Sequence, residues 1–185
     1  MAEVVQESKK PRIDEQNGED AKTAEKVTPI PEDHEGFIPY LAVKNADASL
    51  ELYEKAFGAK AHVTLKMPDG TIAHASLQVG TTQIMLCQEN EMFPMKSAKS
   101  IGGCPMNLTR YVEDVDSAFQ QAVDAGMEVK EKLKTHFYGD RMGTLVDPDG
   151  YEWTLGSRLE IVSEEVMQAR MDEQMAEAAP PPQAE

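Results

Sequence analysis

The chain contains an internal repeat, and this repeat limits the folds it can adopt more than any other feature. The pattern Val-x-x-x-Asp begins at Val43 and again at Val112. Two glycines that end predicted helices, Gly58 and Gly126, are separated by nearly the same interval. A unit of about 50–55 residues is too small to bury a core alone, so we expect the two copies to pack together into one domain.

Both copies have the predicted order strand, helix, strand, strand, strand. Apolar residues recur at helical spacing in one segment of each copy, and Asp-Gly pairs mark tight turns. The predicted helices are Ala46–Phe57 and Val115–Ala125, and the predicted strands are Phe37–Val43, Ala61–Met67, Ile72–Val79, Gln83–Cys87, Met106–Val112, Met127–Lys130, Met142–Asp147 and Tyr151–Leu155. The sequence therefore predicts an α+β fold, with βαβββ modules at 36–90 and 105–157 inside one domain at 36–159.

The segments that flank this domain are more acidic and less periodic. Residues 1–35 carry 10 acids and 5 bases without a sustained apolar period, and we interpret them and residues 179–185 as disordered tails. Residues 160–178 are predicted to form a C-terminal helix, in which Met167, Met171 and Met175 make a stripe at i, i+4 and i+8. We expect this stripe to pack on the protein's own core, and a contact with a second copy of the chain is the alternative.

Charge and cysteine content narrow the possible functions. The chain has 33 acidic and 18 basic residues, and its net charge of −15 disfavours nucleic acids and anionic membranes as partners. No segment of the sequence reads as a secretory signal or a membrane span, and Cys87 and Cys104 make no CxxC pair. We therefore expect a cytoplasmic protein with reduced thiols, and the basic segment Lys9–Arg12 leaves a nuclear location open.

Four longer segments carry a family pattern. They are IPYLAVKNADASLELYEKAFGA, PDGTIAHASLQVGTTQIMLC, YVEDVDSAFQQAVDAGMEV and HFYGDRMGTLVDPDGYEWTL. With them, residues 36–176 resemble the vicinal oxygen chelate superfamily of glyoxalase I, bleomycin-resistance and extradiol-dioxygenase-like proteins, and within it the PhnB-like branch. The resemblance implies two βαβββ modules that form a cupped mixed sheet, a ligand inside the cup, and frequent dimerisation.

The same resemblance bears on metal-dependent chemistry. Metal-dependent members hold a divalent metal in the cup with four His or Glu ligands, and the metal stabilises an enediolate-like intermediate. The matching positions in this sequence are Ile38, Met85, Asn107 and Thr154. Because none of them is a histidine or a carboxylate, the resemblance implies no metal and no other cofactor, and it disfavours glyoxalase I and extradiol dioxygenase activity.

Two residues predicted to face the cup are candidates for acid–base chemistry. Alternation along the strand Ile72–Val79 places His74 on one face together with Ile72 and Gln78, and the opposite, apolar face should meet the helix. Histidine changes charge near neutral pH, so His74 is a candidate general base. Glu152, which we expect to be the only carboxylate aimed at the cup, is the second candidate. The alternatives are a hydrogen-bonded wall residue for His74 and a solvated rim residue for Glu152.

Other residues are candidates for ligand binding. Ile38 and Met85 would give the cup an apolar part, and Tyr40, Asn107 and Thr154 a polar part.

The segment Tyr138–Arg141 offers a further contact to a ligand. Arg141 could bind an anionic ligand and Tyr138 could stack on a planar one. Alternatively, Asp140 and Arg141 brace the loop at the mouth of the cup. Arg110 is predicted on the helix-facing side of its strand, where the sequence offers no partner for it.

Three hypotheses for function remain. The leading one is a PhnB-like protein that binds an unidentified small molecule in a metal-free cup and forms a homodimer. The second is a metal-independent lyase or isomerase that uses His74 or Glu152 as its base. The third is a non-catalytic interaction protein that uses its tails and its methionine-rich helix.

Overall fold

The computed structural model describes residues 28–31, 34, 36–92 and 94–178. The basic segment Lys9–Arg12, the tail at 179–185 and most of the tail predicted at 1–35 lie outside these residues. The strands of the described chain are β1 (Tyr40–Val43), β2 (Lys60–Lys66), β3 (Ile72–Val79), β4 (Thr82–Gln88), β5 (Asn107–Tyr111), β6 (Glu128–Thr135), β7 (Asp140–Val146) and β8 (Glu152–Arg158). Its helices are α1 (Ala46–Phe57), α2 (Ala98–Ile101), α3 (Val115–Ala125) and α4 (Glu164–Ala178).

The strands form two four-stranded sheets, one from each copy of the repeat. Their orders are β1-β4-β3-β2 and β5-β8-β7-β6. In each sheet the first and fourth strands of the module pair in parallel, and the other neighbours are antiparallel. The register repeats as well, since Tyr40 pairs with Met85 in the first module and Thr109 pairs with Thr154 at the equivalent place in the second. The predicted α+β fold of two βαβββ modules and a C-terminal helix is confirmed.

Helices α1 and α3 begin and end as the sequence predicts, because similar capping residues flank both. The side chains of Asn45 and Asp114 each accept a hydrogen bond from a backbone N–H in the first turn that follows. Gly58 and Gly126 follow the last turns with φ of 67° and 114°, the left-handed region that favours glycine. These caps give the two helices nearly equal lengths of 12 and 11 residues.

One hydrophobic core joins the two modules. Helix α1 packs on α3, and apolar residues from both sheets and both helices form a single buried cluster. Trp153 of β8 lies in this cluster against two rings of α1, with ring centroids 5.1 Å from Tyr53 and 4.8 Å from Phe57. Because each module supplies only part of this aromatic contact, the core requires both modules.

A buried carboxylate in the β7–β8 turn, residues 147–151, strengthens this junction. Asp147 accepts a hydrogen bond from the Tyr53 hydroxyl at 2.7 Å and another from Trp153 Nε1 at 2.9 Å. Burial raises the pKa of Asp147 above its ordinary range, although these hydrogen bonds oppose the shift. The carboxylate therefore joins the aromatic residues of the two modules.

The rest of the same turn reaches the backbone of the first module. Asp149 accepts hydrogen bonds from the Lys44 backbone N–H at 2.7 Å and from the Ser49 hydroxyl at 2.8 Å. The Tyr151 hydroxyl lies 3.1 Å from the backbone nitrogen of Ala42, which donates to it, and 2.9 Å from the carbonyl oxygen, which accepts from it. The β7–β8 turn therefore binds the edge of β1 that does not pair with β4.

The structure differs from the sequence prediction at one helix, one strand boundary and one side chain. The prediction omits α2 and ends the strand that begins at Met127 too early, because β6 runs to Thr135. Ile72 is only 1% exposed and belongs to the core, so the prediction that it faces the cup is wrong. The pairing of β2 with β3 shifts between Leu65 and Lys66, and this irregularity turns Ile72 away from the face that carries His74.

Helix α4 lies at the surface. Met171 and Met175 are 39% and 68% exposed, so the prediction that the methionine stripe packs on the core is wrong for these two residues. Polar contacts hold the helix, since Arg170 donates to the Phe137 carbonyl and pairs with Glu160. No helix in the part of the chain that the structure describes is long and apolar enough to cross a bilayer.

Candidate functional site

Each sheet has one face toward the core and one face that is partly open to solvent. Residues paired across neighbouring strands project from the same side, so the register identifies both faces. We define the first open face by Tyr40, Val63, His74, Ser76 and Met85, and the second by Thr109, Thr144, Glu152 and Thr154. These faces carry most of the residues that the sequence predicts to line a cup.

A chain of polar contacts crosses the first open face. The Tyr40 hydroxyl lies 3.1 Å from Nδ1 of His74, and Nε2 of the same ring lies 3.1 Å from the Ser76 hydroxyl. The Tyr40 and His74 rings also stack, with centroids 5.6 Å apart. Since neutral imidazole has one donor and one acceptor nitrogen, one of its two neighbours accepts a hydrogen bond from the ring while the other donates one to it. This geometry connects three exchangeable protons from β1 to β3.

The chain of contacts has a sulfur neighbour. Burial raises the pKa of Tyr40, and the adjacent Cys87 raises it further. Burial also raises the pKa of the Cys87 thiol, despite the hydrogen bond from Tyr40. A thiol whose pKa is raised is a poor nucleophile near neutral pH, so Cys87 contributes packing and polarity.

The apolar residues predicted for this face lie beside the polar chain. Met85 pairs with both Tyr40 and Ser76, which places it on the same side of the sheet. Ile38 lies just before β1 and is half-buried. Val63 and Leu65 of β2 are 38% and 59% exposed. The first open face therefore combines hydroxyl and imidazole groups with accessible apolar surface.

The second open face is more highly charged. Asn107 pairs with Glu152 in the register, and Glu152 forms an ion pair with Lys130 of β6. This contact raises the pKa of Lys130. Thr154 shares a hydrogen bond of 2.9 Å with Thr144. The hydrogen bonds of His74 and Glu152 thus stay within their own sheets, and the structure brings the predicted site residues together as two groups.

Arg141 lies away from both groups. Its guanidinium pairs with Asp116 of α3 through two bonds, of 2.9 Å from Nε and 2.6 Å from Nη2. This geometry matches the bracing role that was the alternative, although the brace joins β7 to α3 and leaves out Asp140. Binding of an anionic ligand by Arg141 stays a prediction.

Tyr138 lies on the connection between β6 and β7. Its ring stacks on His136 with centroids 4.9 Å apart, and burial raises the pKa of its hydroxyl. The same ring faces Phe137 edge-on. Stacking of Tyr138 on a planar ligand is untested and stays a prediction.

Sequence reasoning missed a buried carboxylate at the end of the second open face. Asp140 is 2% exposed and accepts hydrogen bonds from the Tyr111 hydroxyl and from Arg158. Glu131 also projects from this side, because it pairs with Thr144. The expectation that Glu152 is the only carboxylate on this side is therefore wrong. Alternation within β5 and β8 would have placed Tyr111 and Arg158 on this face, but only the register of β7 adds Asp140.

The chemistry of the donor set argues against a metal centre here. The positions that match the ligands of metal-dependent relatives hold Ile38, Met85, Asn107 and Thr154, which do not form a set suited to zinc, nickel or iron. Among the residues that the structure describes, no three His, Cys, Asp or Glu side chains are grouped to hold a metal ion. The residues present therefore do not fit the metal that the fold holds in metal-dependent proteins.

Comparison with known sequences agrees with this architecture. The model of the Glyoxalase/Bleomycin resistance protein/Dioxygenase superfamily matches residues 33–155. An uncharacterised protein of Mycobacterium bovis is 35% identical over 143 residues, which cover 74% of this chain and 91% of that protein. An uncharacterised protein of Mycobacterium tuberculosis is 35% identical over the same length, with 82% of its chain covered.

Solved structures share the fold at lower identity. TioX from Micromonospora sp. ML1 is 24% identical with a TM-score of 0.51, covering 69% of this chain and 99% of TioX. A gene product of Arabidopsis thaliana is 23% identical with a TM-score of 0.54, and the match covers 65% of this chain and 96% of that protein. A PhnB protein from Bacillus cereus is 17% identical with a TM-score of 0.51, and the match covers 65% of this chain and 98% of that protein. With two βαβββ modules and a family match across both, the chain belongs to the glyoxalase/bleomycin resistance protein/dioxygenase superfamily, and its structural neighbours include PhnB-like proteins.

Proposed function

We propose that this protein binds a small organic molecule, without a metal ion, on the first open face. The observation that carries the proposal is the chain of contacts from Tyr40 through His74 to Ser76, which lies beside accessible apolar surface. Small-molecule sites in proteins combine apolar walls with a few polar groups that orient the ligand. The ligand is expected to have an apolar body and one group that exchanges a hydrogen bond with His74 or Tyr40.

A second copy of the chain would complete this site. Tyr40 is 39% exposed and, like Val63 and Leu65, has apolar surface that the described part of its chain leaves uncovered. A homodimer that covers this face would bury that surface and enclose the ligand. Light scattering should then give about twice the 20.4 kDa mass of the chain.

Substitutions distinguish a dimer that pairs through α4 from one that pairs through the first open face. Replacing Met171 and Met175 with glutamate should weaken pairing if α4 contributes to the interface, while Val63→Asp should weaken it if the open face does. A monomer at micromolar concentration would contradict the homodimer and leave ligand binding to be tested on the single chain.

The ligand is best sought by thermal shift against a library of metabolites. Once a ligand is found, His74→Ala should lower its affinity roughly 10-fold, because the ligand loses a hydrogen-bond partner on this face. His136→Ala, in the second module, is the matched control and should bind the ligand as the wild type does. If His74→Ala binds the ligand with unchanged affinity, the first open face is not the site.

A metal-independent lyase or isomerase is the second candidate. Glu152 is already paired with Lys130, so the contacts favour His74 as the base of such an enzyme. Solvent deuterium should then enter a C–H bond of the bound ligand, and His74→Ala should stop this exchange. Glyoxalase I activity on the hemithioacetal of methylglyoxal and glutathione should be absent with and without added metal.

The third candidate, an interaction protein, has one supporting observation. Met171 and Met175 present exposed apolar side chains on α4, a surface that suits adaptable contacts. If a pull-down with the full chain captures a partner, and Met171→Glu abolishes capture without any ligand response in the thermal-shift library, this candidate replaces small-molecule binding.

A further inference from the structure

A cavity of about 530 Å³ lies between the edges of the two sheets, and we call it the seam cavity. Its apolar wall includes Pro39, Ile84, Leu108 and Trp153. Ile84 and Trp153 belong to the core side of their strands, one position away from Met85 and Thr154 of the open faces. The seam cavity therefore reaches the core side of both sheets, and none of the residues that define the first open face lines it.

The repeat explains why this space is present. When the two modules are aligned by their strand register, Thr82 corresponds to Tyr151, and Tyr111 corresponds to Ala42. In one half of the molecule the Tyr151 side chain reaches the edge of β1 and bonds to Ala42. In the other half the small Thr82 stands at the equivalent place, and both Thr82 and Tyr111 line the cavity. The seam cavity is the space that a second tyrosine would fill.

Arg110 gives this cavity its charge. It is the only charged residue among the described residues that line the wall, and it is half-buried. Its Nη1 donates to the Phe57 carbonyl at the end of α1, at 3.1 Å. No other hydrogen bond of this guanidinium occurs within the described part of the chain, so Nε and Nη2 keep donors for another group.

The other arginines of the described chain behave differently. Arg141, Arg158 and Arg170 each pair with a carboxylate. Arg110 has no carboxylate within ion-pair distance among the residues described. In a chain with a net charge of −15, this leaves a localised positive charge against an apolar wall. Arginine binds carboxylates through two parallel N–H bonds, which is the contact that this site lacks.

We propose that the seam cavity is a second binding site, which takes a small carboxylate with an apolar body. The carboxylate binds the free donors of Arg110, and the apolar body lies against Ile84 and Trp153. The cavity volume lies in the range of small-molecule sites in proteins, about 300–1,000 Å³. This site is separate from the first open face and does not depend on His74.

The test uses octanoate as the probe and 1-octanol as its uncharged match. Trp153 is the only tryptophan of the chain, so its fluorescence reports directly on the occupancy of the cavity. Octanoate should change this emission saturably and bind roughly 10-fold more tightly than 1-octanol. Added salt should lower the affinity for octanoate and leave the affinity for 1-octanol unchanged, because only octanoate makes an ionic contact with Arg110.

Variants identify the residue responsible. Arg110→Met should lower the affinity for octanoate roughly 10-fold or more and leave 1-octanol unchanged, while Arg110→Lys should retain part of the preference. Arg170→Gln, which removes an arginine outside the cavity, should bind both probes as the wild type does. If Arg110→Met does not fold, the comparison of the two probes and its salt dependence in the wild type still decides.

Three results would overturn the proposal. They are the absence of a saturable response to octanoate, equal affinities for octanoate and 1-octanol, and an unchanged octanoate affinity in a folded Arg110→Met variant. A second copy of the chain that fills the cavity would give the first of these results. Failure here leaves the open-face proposal intact, because that proposal is tested through His74.

Discussion

The two hairpins that close the modules occupy equivalent places but differ in length. Strands β3 and β4 are joined by two residues, Gly80 and Thr81, whereas β7 and β8 are joined by the five residues 147–151. The longer turn sends Asp149 and Tyr151 into the first module, where they bond to its backbone. The shorter turn sends no comparable group across, and a cavity lies beside it. The same backbone plan therefore supports cohesion on one side and leaves an accessible space on the other.

The open faces differ in a related way. His62 and Lys130 both lie at irregularities of their edge strands, at matching places in the two modules. His62 contacts the amide of Gln83 at 3.1 Å, while Lys130 pairs with Glu152. Both modules thus have a contact between the edge strand and the fourth strand, but it joins an imidazole to an amide in the first module and is an ion pair in the second. The repeat thus carries different side chains at equivalent positions of the two open faces.

Removal of the carboxylate at the module junction should have the largest effect. Asp147→Ala leaves the Tyr53 hydroxyl and the Trp153 indole without their buried acceptor, and we expect a loss of about 3 kcal/mol or more in the free energy of unfolding. Urea unfolding followed by Trp153 fluorescence measures it. Gln78→Ala, next to the shorter turn, is the control and should cost less than about 0.5 kcal/mol. Equal losses in both variants would show that the two turns do not differ in cohesion.

Filling the seam cavity should make the two halves more alike. Thr82→Tyr places at the shorter turn the residue type found at Tyr151, and we expect the affinity for octanoate to fall roughly 10-fold or more through steric exclusion. The melting temperature should change little, because Thr82 is exposed. Thr82→Ser is the control and should bind octanoate as the wild type does. Unchanged binding by a folded Thr82→Tyr variant would place the probe elsewhere.

The hydroxyl of the longer turn has a smaller expected effect. Tyr151→Phe removes only the oxygen that bonds to the Ala42 backbone, so about 1–2 kcal/mol of unfolding free energy should be lost. Hydrogen exchange should rise at the Ala42 amide, which the hydroxyl protects. A variant as stable as the wild type, with unchanged exchange at Ala42, would show that this bond does not hold the β1 edge.

The smallest effect concerns Asp140, the buried carboxylate of the second open face. Burial raises the pKa of Asp140, but hydrogen bonds from Tyr111 and Arg158 outweigh it and leave the pKa below its ordinary value of 3.8. A carboxylate whose pKa is lowered by folding adds stability above that value, and the contribution is lost as the pH falls through the folded pKa. Asp140→Asn should therefore cost less than about 1 kcal/mol at pH 6, with the difference from wild type shrinking toward pH 3. A difference independent of pH would contradict this assignment, and Asp124→Asn serves as the surface control.

Much of the fold follows from local sequence signals. The bounds of α1 and α3 are predictable because capping residues and glycines mark them, and the repeat fixes the order of elements. Helix α2 has only four residues and lacks a recognisable period. The environment of Ile72 depends on a shift of strand pairing, and pairing is a property of two strands that one strand's alternation does not contain.

The site was less predictable than the fold. The side of the sheet that carries His74 follows from alternation, but its contacts with Tyr40 and Ser76 need the neighbouring strand and its register. The partner of Arg141 lies 25 residues away in α3, and no local pattern connects them. The seam cavity depends on how the edges of the two sheets lie relative to each other, so even a correct list of strands would not reveal it.

The β7–β8 turn also has a consequence for synthesis on the ribosome. Ala42 and Lys44 emerge first, while their hydrogen-bond partners in the turn come 109 and 105 residues later. At translation rates of about 5–20 residues per second, these partners are synthesised roughly 5–20 seconds after the edge of β1. During that interval an unpaired strand edge is open to association with other nascent chains. The first half of this protein is therefore expected to depend on chaperones until the last strand leaves the exit tunnel.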